Sequence, residues 1–287
     1  MKVAFLGLGV MRFPMAGHIA KRFHQVTVFN RTQQKARNWV EQHRGTMSET
    51  VSEAVSGADV VLMCLGNDHD VREVALGDDG VVCRLKAGSI LVDHTTVSAD
   101  LAVELAGHCR EVGAGFLDAP VSGGQSGAEE ARLTIMAGGK NADLKKVQPV
   151  LETYGKQISL IGDHGSGQKA KMVNQMCIAG ILQGLSEGLL LAEKAGLDAG
   201  AVLEAISGGA ASSWQMVNRG ETMMERKYDF GFALDWMVKD LEICLKEAER
   251  LNSPVNLTRE VCERYRELQK KGYGRWDTSA LIESLRA

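Results

Sequence analysis

The chain has 287 residues, more than one hydrophobic core usually organises, so two domains are expected. Its apolar content of 45% and charged content of 24% are ordinary for a globular protein, and the formal net charge of −3 argues against nucleic-acid or anionic-membrane binding. No run is expected to span a bilayer, and the first strand begins too early for a signal peptide, which favours the cytoplasm.

The first predicted strand–helix junction carries a glycine turn. A strand over 2–6 is followed by Gly7-Leu8-Gly9-Val10-Met11, then by a helix and a second strand. Gly7 permits a tight turn, and Gly9 lets the backbone approach a pyrophosphate. The helix N-terminus behind them offers amide groups and a positive dipole end to an anion. This βαβ unit predicts dinucleotide binding.

Two positions depart from the usual G-x-G-x-x-G pattern of such units. Arg12 replaces the third glycine, and its side chain is expected to point outwards as a surface residue, to push the helix back, or to reach a phosphate. The second strand ends in Asn30-Arg31-Thr32, without the carboxylate that binds the ribose 2′-OH of NAD. Because Arg31 can bond a 2′-phosphate bidentately, NADP is preferred, and NAD stays possible.

Short apolar runs alternate with helical stretches up to about residue 162, which is typical of a doubly wound sheet with helices on both faces. Further buried parallel strands are predicted at 58–65, 89–93, 115–118, 133–137 and 158–161. Leu65 and the pair Thr95-Thr96 follow strand ends, where open α/β sheets bind ligands, although ordinary loop residues show the same pattern. Residues 1–162 are the predicted nucleotide-binding domain.

After Gly162 the chain is predicted to be helical. The stretch 163–196 predicts one long interdomain helix, apolar around most of its circumference and closed by Gly196, so burial between domains or in a dimer core is expected. Shorter helices are predicted at 201–207, 214–226, 233–251, 254–271 (with Pro254 in the first turn) and 278–285. Residues 163–287 would form a helical substrate and oligomerisation domain, and the surplus apolar surface predicts a homodimer or homotetramer.

Two polar segments are candidates for substrate chemistry. Lys171, Asn174 and Gln175 share one face of the long helix, where partial burial would suit the amine to giving and taking a proton; a solvated face is the alternative. The segment Ser122-Gly123-Gly124 can offer a hydroxyl and backbone amides to a carboxylate, although a plain turn has the same glycine pair. The cysteines and histidines lack metal-ligand spacing, so no metal site is predicted.

Together these segments resemble the β-hydroxyacid dehydrogenase family, which includes 3-hydroxyisobutyrate dehydrogenase, tartronate semialdehyde reductase and glyoxylate/succinic semialdehyde reductase. The matching segments follow the family's order along nearly the whole chain: 7–11 with 14–16, 93–96, 118–124, 165–167 with 171–175, and Lys239-Asp240. The resemblance implies an N-terminal Rossmann-type doubly wound sheet and an all-α C-terminal domain, joined by a long interdomain helix.

The resemblance implies a cofactor site on Gly7 to Met11, Leu65-Gly66 and Thr95-Thr96, closed by Lys239. The strand end at Asn30-Arg31-Thr32 resembles that of NADP-using members. Arg12 departs from the family's glycine, and this puts cofactor affinity, rather than the fold, in question.

The resemblance also implies a substrate site and a reaction. Ser122, Gly123 and Gly124 would hold the substrate carboxylate, and Asn174 and Gln175 would orient the substrate. Lys171 would be the general acid/base in the interconversion of a small β-hydroxy acid and its semialdehyde, or in the reduction of a short carboxylated aldehyde. An imine reductase of this architecture, whose members generally lack that lysine, and a non-catalytic NADP-binding protein are the alternatives.

Overall fold

The chain separates into two compact units, Met1–Lys171 and Met172–Ala287, and the computed structural model describes residues 1–286. The strands β1 to β9 are, in chain order, Lys2–Leu6, Gln25–Phe29, Thr46–Met47, Val60–Met63, Ile90–Asp93, Gly115–Asp118, Val121–Ser122, Leu133–Gly139 and Gly155–Gly162. The helices α1 to α12 are Arg12–Arg22, Gln33–Gln42, Val51–Val55, Asp68–Leu76, Ala99–Glu111, Gly124–Glu129, Asn141–Leu151, Ser166–Lys194, Ala199–Ser207, Trp214–Met224, Leu234–Arg250 and Asn256–Lys270. Two 3₁₀ helices are Val82–Arg84 and Thr278–Ser284. The predicted domain boundary after residue 162 stays a prediction.

The first unit contains one mixed sheet. Its order is β3-β2-β1-β4-β5-β6-β8-β7, with β9 paired to β8. The six strands from β3 to β6 run parallel, which confirms the predicted doubly wound arrangement. The predicted strand at 133–137 is β8, which runs antiparallel to β6 and β7. The predicted parallel direction of this strand is therefore wrong with respect to β6 and β7, because an apolar run indicates that a strand is buried but not which way it points.

The central strands are mostly apolar because helices cover both faces of the sheet. Alternate side chains of β1 enter different cores: Val3 and Phe5 pack in one, Ala4 and Leu6 in the other. The parallel strands also bring their carboxyl ends to one edge of the sheet. The turn after β1, Leu65 after β4 and Thr95 after β5 therefore lie at the same edge.

The second unit is helical in the part that the structure describes, as predicted. The long helix α8 begins in the first unit and ends in the second. Gly196 has φ +70°, and the Leu197 amide donates to the Ala192 carbonyl at 3.0 Å, so this glycine closes the helix as predicted.

The surface of α8 differs from the expectation of a helix buried all round. Ala179 and Leu182 are buried in a core with α11 and α12, whereas Val173 is 62% and Leu191 is 71% exposed. By length and composition α8 could also cross a bilayer, contrary to the expectation that no run could do so, but 44% of its apolar stretch is buried inside the chain. Packing in the protein core explains why the buried part of α8 is apolar.

Two shorter predictions at the C-terminal end are also corrected. Helix α12 begins at Asn256, so Pro254 precedes the helix rather than occupying its first turn. The segment predicted as a helix at 278–285 is the 3₁₀ helix Thr278–Ser284. The predicted end of α12 is confirmed, because Gly272 follows the last turn with φ +89°.

Candidate active site

The turn between β1 and α1 is shaped by Gly7. This residue has φ +96°, and a Cβ atom there would overlap the Cys64 carbonyl oxygen, so the turn requires glycine. The Gly7 amide donates to the Phe29 carbonyl at 2.8 Å, which joins the turn to the end of β2. Among the described residues no side chain caps α1 at Met11, so its first turn can present backbone amides to a phosphate.

A cavity of about 600 Å³ opens beside this turn. Residues 8–10 line it, Lys21 and Lys35 bring positive charge to its wall, and Glu129 brings one carboxylate. Its volume lies within the range of about 300–1,000 Å³ that is typical of cofactor and ligand pockets. These residues fit the phosphates of a dinucleotide. The sequence did not single out Lys35, although a lysine in the first turn after the second strand end was a usable signal.

Asn30 and Arg31 of the predicted segment Asn30-Arg31-Thr32 differ in what their side chains contact. The Asn30 side chain accepts a hydrogen bond from the Leu8 amide at 2.8 Å and donates one to the Thr32 carbonyl at 2.9 Å. Asn30 therefore braces the glycine turn. Arg31 is exposed, so its guanidinium is the group in this segment that can meet a 2′-phosphate from solvent.

Arg12 lies across the glycine turn and is half-buried. Its guanidinium donates to the Leu65 carbonyl and packs over Gly9, 3.4 Å from where a Cβ atom would stand. The surface-residue interpretation of Arg12 is therefore wrong. The side chain links the turn after β1 to the end of β4 and places a cation beside the backbone that the pattern assigns to a pyrophosphate.

The ends of β4 and β5 are joined through Thr95. Its hydroxyl accepts from the Leu65 amide at 2.8 Å, and its own amide donates to the Asp93 carboxylate at 2.8 Å. Thr95 is buried, whereas the neighbouring Thr96 is half-buried. The structure thus brings Leu65 and Thr95 together, as expected for two strand ends at one edge of a parallel sheet.

The start of α8 is attached to the sheet by Asp118 and Gln168, two residues to which the sequence assigned no function of their own. The Asp118 carboxylate accepts from the amides of Gly165 and Gln168 at 2.8 and 2.9 Å. Burial raises the pKa of Asp118, and these two hydrogen bonds oppose the rise. The Gln168 side chain accepts from the Val97 amide at 3.1 Å and donates to the Thr95 carbonyl at 2.8 Å.

Lys171 lies one turn further along α8, and its side chain is 8% exposed. Its amine donates to the Val121 carbonyl at 2.9 Å. Val121 precedes Ser122, Gly123 and Gly124, and both glycines have positive φ, +132° and +64°. The structure therefore brings the lysine to the strand that ends in the predicted carboxylate-binding segment, with a backbone shape that favours glycine.

Three further predicted residues, Asn174, Gln175 and Lys239, belong to a polar cluster within the second unit. Gln175 donates to the Asp240 carboxylate at 2.7 Å and accepts from Asn174 at 2.8 Å. Lys239 pairs with the same carboxylate at 2.9 Å. Asp240 is 2% exposed and is the centre of this cluster. The sequence analysis assigned no role to Asp240.

The prediction that no metal is bound stays a prediction. In the described part of the chain, His69, Asp70 and Glu73 of α4 place one possible ligand atom each within 4.8 Å of one another. Two of these three residues are exposed, and exposed acidic groups are common without an ion.

Each half of the chain matches a model of a known protein family. A family model described as the NAD binding domain of 6-phosphogluconate dehydrogenase matches residues 2–162. A second model, described as the NAD-binding of NADP-dependent 3-hydroxyisobutyrate dehydrogenase, matches residues 165–285.

Individual relatives cover nearly the whole chain. The 2-hydroxy-3-oxopropionate reductase of Escherichia coli is 34% identical over 99% of this chain and 97% of its own length. The probable 3-hydroxyisobutyrate dehydrogenase-like 1, mitochondrial, of Arabidopsis thaliana is 38% identical over 99% of this chain and 85% of its own. A solved structure of Mycobacterium tuberculosis 3-hydroxyisobutyrate dehydrogenase with L-serine has a TM-score of 0.90 at 30% identity, covering 100% of this chain and 99% of that one.

Proposed function

The chain belongs to the β-hydroxyacid dehydrogenase family, and from that premise we propose that it uses NADP to interconvert a small β-hydroxy acid and its semialdehyde, or to reduce a short carboxylated aldehyde. As a member of that family it is an oxidoreductase that acts on a CH–OH group with a nicotinamide cofactor. The cofactor preference, the substrate and the residue roles are the proposal.

The buried amine of Lys171 at the Val121 carbonyl is the observation that carries the proposal. An ammonium group has three N–H donors, and the Val121 carbonyl accepts one of them at 2.9 Å. A second N–H can then point at the oxygen of a substrate held by Ser122 and the amides of Gly123 and Gly124. A low-dielectric setting strengthens such contacts, because little water competes for them.

The proposed proton transfer follows from this position. A bound nicotinamide supplies the hydride in reduction and accepts it in oxidation. In reduction the Lys171 ammonium donates a proton to the alkoxide oxygen as negative charge develops there. In oxidation the neutral amine accepts the hydroxyl proton. The Val121 carbonyl can accept from the amine in both protonation states, so it keeps the nitrogen in place through the cycle.

The preference for NADP rests on charge at the end of β2. Arg31 is exposed there, no carboxylate stands at 30–32, and Lys35 lines the cavity beside the glycine turn. A 2′-phosphate would gain charge-assisted hydrogen bonds from such groups, whereas a 2′-OH would find no carboxylate to accept from it.

The proposed reaction is tested by following NADPH consumption against a panel of short aldehydes with and without a carboxylate, and against cyclic imines. Turnover confined to carboxylated aldehydes supports the proposal. Turnover of imines alone would assign the chain to imine reduction, and NADPH binding without turnover of any compound would make it a non-catalytic binding protein.

We also propose that the protein is a homodimer or homotetramer. Helix α9 has no buried residue in the described structure although it is mostly apolar, and Val173, Leu191 and Trp214 are 62%, 71% and 51% exposed. Apolar surface of this kind favours association with a second copy. Light scattering at micromolar concentration should give at least twice the chain mass of 31.0 kDa. A fully active monomer under the same conditions would contradict the proposal.

A further inference from the structure

A buried histidine and a buried tyrosine meet beside the candidate active site. His94 directly follows β5 and is 2% exposed, and Tyr154 directly precedes β9 and is fully buried. The imidazole Nδ1 lies 2.6 Å from the Ala119 carbonyl oxygen, and Nε2 lies 2.8 Å from the Tyr154 hydroxyl. The two rings meet edge to face at 5.7 Å. His94 therefore bridges a backbone carbonyl and a phenol 60 residues away.

The chemistry of these partners determines where the imidazole carries its proton. A carbonyl oxygen can only accept, so Nδ1 must be the protonated nitrogen. Nε2 of the neutral ring then accepts, and the Tyr154 hydroxyl must donate to it. Burial lowers the pKa of His94 to about 4 and raises that of Tyr154, which agrees with two neutral partners.

Ala119 stands where the ladder between β5 and β6 ends. The last paired residues of these strands are Asp93 and Asp118, and the Ala119 amide still donates to the Asp93 carbonyl at 2.7 Å. The carbonyl of the same residue, Ala119, bonds to the side chain of His94 instead of to a strand. His94 thus extends the ladder by one contact, just before the chain turns at Pro120 into β7.

We propose that His94 and Tyr154 are positioning residues of the site, which hold the Ala119 carbonyl and thereby the strand Val121–Ser122 at which the Lys171 amine binds. This proposal rests on the proposed function, because the strand it positions is the one assigned there to substrate and lysine. His94 follows β5 and precedes Thr95 in the chain, and its side chain bonds to Ala119 after β6. The side chain therefore sets the spacing between the ends of β5 and β6. Tyr154 is itself held, since its carbonyl accepts from the Leu133 amide at 3.1 Å.

Three variants and a surface control separate positioning from simple packing. His94→Leu fills the space without a donor, His94→Asn keeps a donor near the Nδ1 position, and Tyr154→Phe removes only the hydroxyl. His94→Leu is expected to lower kcat by about 10–100-fold, with little change in NADPH affinity, because small displacements of reacting groups are costly. His94→Asn should recover most of that loss, Tyr154→Phe should give an intermediate value, and exposed His108→Leu should resemble wild type.

A lower melting temperature for His94→Leu with unchanged kcat would overturn the proposal, because it would make the pair a packing contact only. Failure of His94→Asn to recover activity better than His94→Leu would overturn it as well. Nitrogen NMR of the labelled imidazole in the wild-type protein gives a readout independent of turnover, and it should show a protonated Nδ1 and an accepting Nε2. The opposite tautomer would overturn the proposal. A wild type that reduces no aldehyde would remove the proposed function, whereas the tautomer measurement would still test the contact.

Discussion

The polar residues of the candidate site are held in different ways in the two units. In the first unit, five side chains near the sheet edge each bond to backbone groups: Asn30, His94, Asp118, Gln168 and Lys171. In the second unit, Gln175 and Lys239 bond to the carboxylate of Asp240, so side chain meets side chain. A backbone contact fixes a chain segment, whereas a side-chain contact fixes only its partner. Substitutions in the first group should therefore cost more stability, and those in the second should act more locally.

Asp118→Ala should cause the largest loss of stability. It removes the acceptor of two buried amides, Gly165 and Gln168, and each orphaned donor costs about 1–3 kcal/mol. The free energy of unfolding should fall by about 2–6 kcal/mol in chemical denaturation. Asp163→Ala, which removes an exposed carboxylate between β9 and α8, is the matched control and should change little. Equal stabilities for the two variants would contradict the difference between backbone and side-chain anchoring.

His94 should make the protein sensitive to acid. The pKa of His94 is lowered from 6.5 in the unfolded chain to about 4 in the folded one, because burial disfavours the cation. The contribution of neutral His94 to the free energy of unfolding is therefore complete above pH 6.5. It is lost as the pH falls from 6.5 through about 4, a change of about 3 kcal/mol.

The measurement is the free energy of unfolding of wild type and His94→Leu between pH 7 and pH 4. The raised pKa of Asp118 gives a contribution of the opposite sign, lost as the pH rises, but both proteins contain it. The wild-type curve should be steeper than that of the variant. Parallel curves would mean that His94 is not held as a neutral ring.

Arg31→Ala should weaken NADPH binding by about 1.5–3 kcal/mol and leave NADH binding nearly unchanged. The reason is the loss of a charge-assisted contact to the 2′-phosphate, while Asn30 still braces the Leu8 amide. Fluorescence titration with both cofactors measures the effect, and exposed Arg37→Ala on α2 is the control. Equal affinity of the wild type for NADH and NADPH would remove the argument from this strand end.

Gln175→Leu should have a smaller effect on stability than Asp118→Ala, about 1.5–3 kcal/mol for one hydrogen bond to a charged group, although Gln175 is as deeply buried as His94. Asp240 keeps its ion pair with Lys239 when Gln175 is replaced, so no segment of backbone loses its anchor. Chemical denaturation beside Asp118→Ala makes the comparison direct. A loss as large as that of Asp118→Ala would show that side-chain clusters anchor this protein equally well.

The fold was largely predictable from the sequence because it depends on local patterns. Apolar runs of strand length, the glycine turn at Gly7 and the helix end at Gly196 all follow from spacing and residue type alone. The antiparallel direction of β8 was not predictable, since the same run of apolar residues is buried whichever way it points.

The candidate site was predictable only where residue type and chain neighbours carry the signal. Lys171 and the Ser122 segment were singled out in this way, and their roles in the reaction stay predictions. Asp118 bonds to amides 47 and 50 residues later, and His94 bonds to Tyr154 across 60, so these contacts appear only once the chain is folded. Asn30 was predicted as part of the cofactor-binding strand end, and its contacts with the Leu8 amide and the Thr32 carbonyl became visible only in the folded chain.

The central claim is that Lys171 transfers the proton, and the steady-state rate of Lys171→Ala beside Lys169→Ala tests it most directly. Lys169 is an exposed lysine two residues earlier on α8, so its variant controls for loss of charge on the same helix. Lys171→Ala should lose about 10²–10⁴-fold in kcat while NADPH binding by titration stays close to wild type, and Lys169→Ala should be fully active. A Lys171→Ala variant that keeps more than about half of the wild-type rate would contradict the claim.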